Sequence, residues 1–308
     1  MKKIFSMIAL MLMTAAGAMA QTYNVTVKEG TEDAANWSAD PNPATAGQTV
    51  TIKYNGTKKV KSIKAVKKAA TTPLDNTTTA WASGAFAVPA SGLTYSDAIT
   101  VTGDVTLVLT DGETLTLNKG ISIADGATLT VQGNGMMVVN GTSGSTASTV
   151  AGNGTLVLTS GTLTAKGGAG GGYGSHEATS GSKSAGGVAI NGTVTVSGGT
   201  LTATGGAGGS IGEYNANVTA GAGGAAISGS VTLNSGTLTA TGGNGGNGGE
   251  YSTGTAGADG VAISGDLTVN GGTMTTTNGS NGVVTGSPTV VNLGAGGKAV
   301  AGTVTDNR

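Results

Sequence analysis

The chain has 308 residues, of which 58 are glycine and none is cysteine; charged residues make up 10% and aromatic residues 3%. That composition excludes a disulfide framework and thiol chemistry, and its charged and aromatic contents are both low for a globular enzyme. The formal net charge of −1 is uneven: residues 21–68 carry +4, whereas residues 69–308 carry −7 and hold the single arginine, Arg308. A body without clustered Lys and Arg lacks the electrostatic footprint of nucleic-acid binding.

Lys2 and Lys3 precede an apolar run from Ile4 to Met13, and small residues then lead to Ala18-Met19-Ala20. This order predicts a secretory signal peptide over residues 1–20, of bacterial type and cleaved before Gln21. The apolar run is far shorter than the roughly 20 residues of a membrane span, and no transmembrane segment is expected in the mature chain. Export follows, to the extracellular space, the outer surface or the periplasm.

Residues 21–68 contain TYNVTVKEG, PNPATAGQTVTIKYNG and KKVKSIKAV. Each is a short alternating run bounded by Gly, Pro or Asn, so each reads as a strand. The pattern from Pro43 to Ile52 resembles the opening of a bacterial immunoglobulin-like sandwich module. The segment is short for a complete sandwich, so a small β domain and a cap on the larger unit both remain open. Residues 69–98 form a linker leading into a second pattern.

From 99 to 141, strands of four to seven residues rich in Val, Leu, Ile and Thr alternate with Gly-Asp, Asp-Gly and Asn-Lys-Gly turns. No window has helical apolar spacing, and short strands with regular turns point to stacked β coils. From about 151 the coils become an explicit repeat. Ile190, Ile227 and Ile263 recur, as do Leu163, Leu201, Leu238 and Met274, at spacings of 36–38 residues. Fixed-period self-similarity is the signature of a solenoid. The period reads as one coil of about 22 residues plus an excursion of about 14. Period-2 alternation turns Val194, Val196, Leu201 and Ala203 inward and sends Thr200, Thr202 and Thr204 outward. The glycines are expected at corners and where coils approach closely. The drifting excursions read as loops.

Little of this sequence can do chemistry. His176 is the only histidine and sits in one excursion; Asp259, Asp266 and Asp306 are scattered. No acid–base pair, metal set or nucleotide loop can be assembled, so neither a catalytic residue, a metal nor a cofactor is expected. Two surface features remain. Glu177, Glu213 and Glu250 recur at spacings of 36 and 37 residues, accompanied by Tyr173, Tyr214 and Tyr251. Stacked excursions would set aromatic faces beside carboxylates, a combination that suits sugars. The second feature is a lattice of outward threonines, interrupted by Lys166, of the kind seen on ice-binding β-solenoids.

At GDVTLVLTDGETLTLNKGISIADGATLTVQGNG and the AISGSVTLNSGTLTATGG repeats, the chain resembles secreted bacterial right-handed parallel β-helix proteins, including carbohydrate-binding and adhesin-like members with a pectin-lyase-like fold. The resemblance covers about 99–304. It implies an all-β fold, a right-handed parallel β-helix over 99–308 with a small N-terminal β domain or cap. It also implies a non-catalytic surface protein whose partner is a polysaccharide or cell-surface glycan; Tyr173, Glu177, Glu213, Tyr214, Glu250 and Tyr251 are the candidate ligand-binding residues on the strength of their recurrence. A structural spacer or matrix protein is the alternative. A degenerate polysaccharide lyase and an ice-binding protein stand behind it.

Overall fold

The computed structural model describes residues 71–172, 181–213, 218–249, 255–284 and 298–308, and the backbone of five strands earlier in the chain. The chain divides into two compact units, Met1–Lys68 and Ala69–Arg308. In the first, Thr49–Tyr54 is the middle strand of an antiparallel sheet, flanked by Ser6–Met11 and Trp37–Asp40. Thr22–Tyr23 pairs separately with Ala44–Thr45. The opening strand lies within the segment whose removal the sequence predicts.

The second unit is an all-β parallel solenoid, with no helix among the described residues. Each coil has three faces. The first is built from Ala80–Trp81, Ile99–Val101, Ile121–Ile123 and Val150–Ala151. It continues through single bridges at Ile190, Ile227, Ile263 and Val300. The second face runs from Gly84–Ala87 through Val105–Leu109, Thr128–Gly133 and Thr155–Leu158. The third runs from Leu93–Tyr95 through Thr114–Leu117, Met136–Asn140 and Thr162–Lys166. The strands Thr193–Thr204 and Val231–Thr241 span both the second and third faces, with a register shift where they bend.

Register explains the core. Parallel pairing places Leu93, Leu115, Met137, Leu163, Leu201, Leu238 and Met274 in one column. Identical side-chain phase in every strand then makes each inward residue sit on its counterpart in the next coil. Leu163, Leu201 and Leu238 are buried; Met274, in the last of these strands, is only partly covered. The offset between column members is 22 residues from Leu93 to Leu115 and from Leu115 to Met137. It rises to 36–38 residues between the coils that contain Leu163, Leu201, Leu238 and Met274. One coil of 22 residues plus an excursion accounts for the repeat.

An aromatic group closes the first coil. Trp81 is fully buried, stacks on Phe86 at 6.2 Å and meets Tyr95 edge-on at 6.0 Å. Its Nε1 donates to the Thr78 carbonyl at 3.2 Å, and the Tyr95 hydroxyl donates to the Asp75 carbonyl. At the corner between the second and third faces the chain turns at Gly199 with φ +73°, a conformation that L side chains reach only with strain.

Candidate functional site

The excursions differ from the loops expected of them. Among the described residues, outgoing segments (within 167–172, 205–213, 242–249 and 278–284) and returning segments (within 181–189, 218–226 and 255–262) pack into two layers. Gly205, Gly208 and Ile211 donate to the carbonyls of Thr241, Asn244 and Asn247 at 2.8–2.9 Å. One residue further on, Gly206 and Gly209 donate to Gly187 and Ser184 of a returning segment at 2.9 and 3.0 Å. The returning segment of the next coil donates in turn, from Gly221 and Gly224 to Gly209 and Gly206. A β-strand meets each neighbour at every second residue; here each neighbour is met at every third. That is the repeat of the extended, left-handed polyproline II helix, which has three residues per turn and must find its hydrogen bonds outside itself.

Glycine is required because the layers approach backbone to backbone. A β-carbon on Gly206 would stand 1.9 Å from the carbonyl oxygen of Gly168. The excursion glycines therefore occupy the interior of an ordered bundle and do not merely turn corners. Ile211, Val218 and Ala220 form a small buried cluster at its outer end.

Two of every three positions face neighbouring segments, and the third faces solvent. Ala207, Ser210 and Glu213 are exposed in one outgoing segment, Asn244 and Asn247 in the next, and Ser280 and Val283 in the last. Peptide N–H groups at these third positions point away from both layers, and side chains of the preceding coil accept some of them. Asn247 N donates to Ser210 Oγ at 3.1 Å, Ser280 N to Asn244 Oδ1 at 2.8 Å, and Val283 N to Asn247 Oδ1 at 3.1 Å. The returning layer presents Ser182, Ala185, Thr219, Ala222, Thr255 and Ala258 at the same interval.

The exposed side of the outgoing layer continues the outer side of the third face. There Thr162, Thr200, Thr237 and Thr273 stand in one row and Thr164, Thr202, Thr239 and Thr275 in the next. Lys166 begins the row of Thr204, Thr241 and Thr277.

Of the six residues singled out from the sequence, Glu213 is exposed on the outgoing layer. Tyr173, Glu177, Tyr214, Glu250 and Tyr251, like His176, lie outside the described residues. Sequence reasoning missed Ser210, Asn244 and Asn247. Their signal was available in GGAGGSIGE and GGNGGNGGE, where, Ile211 aside, the non-glycine residue recurs every third position.

Charge is sparse on this surface. No group of three or more His, Cys, Asp or Glu side chains that could hold a metal occurs among the described residues. No helix among them is long and apolar enough to cross a membrane. Comparison of the chain with protein-family models, curated proteins and solved structures finds no match.

Proposed function

We propose that this chain is an exported, non-catalytic surface or extracellular protein that binds polysaccharide or a cell-surface glycan. One observation carries the reading: a hydrogen-bonded, solvent-facing surface, rich in hydroxyls and carboxamides and poor in charge, extends over several coils. Threonine rows lead into Ser210, Asn244, Asn247 and Ser280. Such a surface can bond sugar hydroxyls along a polymer without an enclosed pocket. Export rests on Lys2, Lys3, the apolar run to Met13 and Ala18-Met19-Ala20. Cleavage before Gln21 would remove Ser6–Met11 and leave Trp37–Asp40 paired with Thr49–Tyr54.

The test is retention of the mature chain on immobilised polysaccharides, with Tyr214→Ala plus Tyr251→Ala as the first variant. Retention of the parent chain supports the reading, and its loss in the variant gives Tyr214 and Tyr251 a part in it. No retention on any glycan contradicts the reading and favours a spacer or matrix role, for which the continuous hydrogen-bonded stack is suited. Thermal hysteresis in the purified protein would instead favour ice binding by the threonine rows.

A further inference from the structure

We infer that the ligand-reading groups are the side chains of Asn244, Asn247 and Ser210 on the outgoing layer, and that their ligand is a neutral polysaccharide chain. This rests on the polysaccharide reading above and locates it on the bundle.

Each of these side chains is held by one bond to a neighbouring segment. Asn244 Oδ1 accepts the Ser280 amide at 2.8 Å, Asn247 Oδ1 accepts the Val283 amide at 3.1 Å, and Ser210 Oγ accepts the Asn247 amide at 3.1 Å. Those bonds fix the acceptor ends. Each side chain then presents its donors, two N–H bonds on each Nδ2 and the hydroxyl proton of Ser210, while each oxygen keeps one further lone pair. All three residues are exposed. The surface is therefore a set of oriented neutral donors whose ordering cost was met on folding, which favours binding. Sugar hydroxyl, ring and glycosidic oxygens are acceptors of the matching kind.

The layout fits a polymer better than a small molecule. Asn244 and Asn247 are three residues apart on one segment, about 9 Å at the rise of a polyproline II helix. Ser210 and Asn247 face each other across adjacent segments, which are joined by the Ile211 N to Asn247 O bond of 2.8 Å. The exposed positions Ala207, Ser210, Asn244, Asn247, Ser280 and Val283 carry no charge. Charge begins only at the margins, with Glu213 at one end and Lys166 at the other. Donors without cations do not select a polyanion, so the ligand is neutral.

The experiment is affinity gel electrophoresis of the full mature chain against hydroxyethylcellulose, laminarin, mannan, arabinoxylan and amylopectin. The decisive variant is Asn244→Asp with Asn247→Asp. Each carboxylate still accepts the Ser280 or Val283 amide, but the donors are replaced by negative charge. Binding should weaken roughly tenfold or more, as expected for several lost hydrogen bonds. Asn118→Asp should bind like the parent: it keeps its acceptor for Asn140 Nδ2 on a coil before the excursions. If the parent binds and the double variant binds equally, this assignment is overturned while the polysaccharide reading stands. If the parent is retarded by no polymer, the polysaccharide reading fails and the assignment with it. Should the double variant lose its far-ultraviolet circular dichroism, Ala207→Arg decides, because Ala207 is exposed on the same surface. Lost binding then supports the assignment, and unchanged binding overturns it.

Discussion

A β-carbon placed on Gly243 would stand 1.9 Å from the carbonyl oxygen of Gly206 in the preceding coil. The same oxygen accepts the Gly224 amide at 2.8 Å, so it cannot move away without breaking the bond between the layers. Gly243→Ala should lower stability by about 2 kcal/mol or more, through overpacking and a lost backbone bond. Urea denaturation of parent and variant measures this, and equal midpoints would count against the packed bundle.

Ala207 is the gap in an otherwise regular device. Ser210 accepts the Asn247 amide, and Asn244 and Asn247 accept those of Ser280 and Val283, whereas Ala207 offers nothing to the amide of Asn244. Ala207→Ser should stabilise the fold by about 0.5 kcal/mol, a net hydrogen bond at a solvated site. A stability gain in Ala207→Ser, absent in Ala207→Val, is the expected outcome.

Leu201 is fully buried and lies between Leu163 and Leu238 in register. Its neighbour Thr202 faces outward between Thr164 and Thr239. Leu201→Ala should cost about 2–5 kcal/mol. Thr202→Ala should cost within about 1 kcal/mol, since only strand propensity and cross-strand contact are lost. Similar losses at both positions would contradict the assigned phase.

Acid should loosen the N-terminal end of the solenoid at unusually low pH. Hydrogen bonds from the Thr77 hydroxyl and from the Thr78 and Thr77 amides lower the pKa of Asp75 from 3.8 to about 2. A depressed folded-state value stabilises the fold above pH 3.8, and that contribution is lost as pH falls through about 2. The turn adjoins Trp81, whose Nε1 donates to Thr78 O. Trp81 emission should shift in this window in the parent, and Asp75→Asn should flatten that part of the acid profile.

Much of the solenoid was legible because alternation has a period of two and the coils copy it. Leu163, Leu201, Leu238 and Met274 recur at spacings of 36–38 residues, and the structure stacks them in that register. The bundle was not legible by the same means. Its interior is made of glycine, so it has no apolar phase; the information lies in the absence of a side chain at two positions of three, as at Gly205, Gly206, Gly208 and Gly209. The candidate site followed the same division. Glu213 occurs at an exposed third position, while Ser210, Asn244 and Asn247 gain meaning only when Asn247 N is seen to bond Ser210 Oγ.

The most direct test of the ordered bundle is amide hydrogen exchange by NMR across residues 205–211. The amides of Gly205, Gly206, Gly208, Gly209 and Ile211 donate to backbone carbonyls of neighbouring segments, and the third positions Ala207 and Ser210 face solvent. Protection should therefore follow a period of three, with Ala207 and Ser210 exchanging fast between protected neighbours. Uniformly fast exchange through the glycines, or protection alternating with a period of two, would contradict the account.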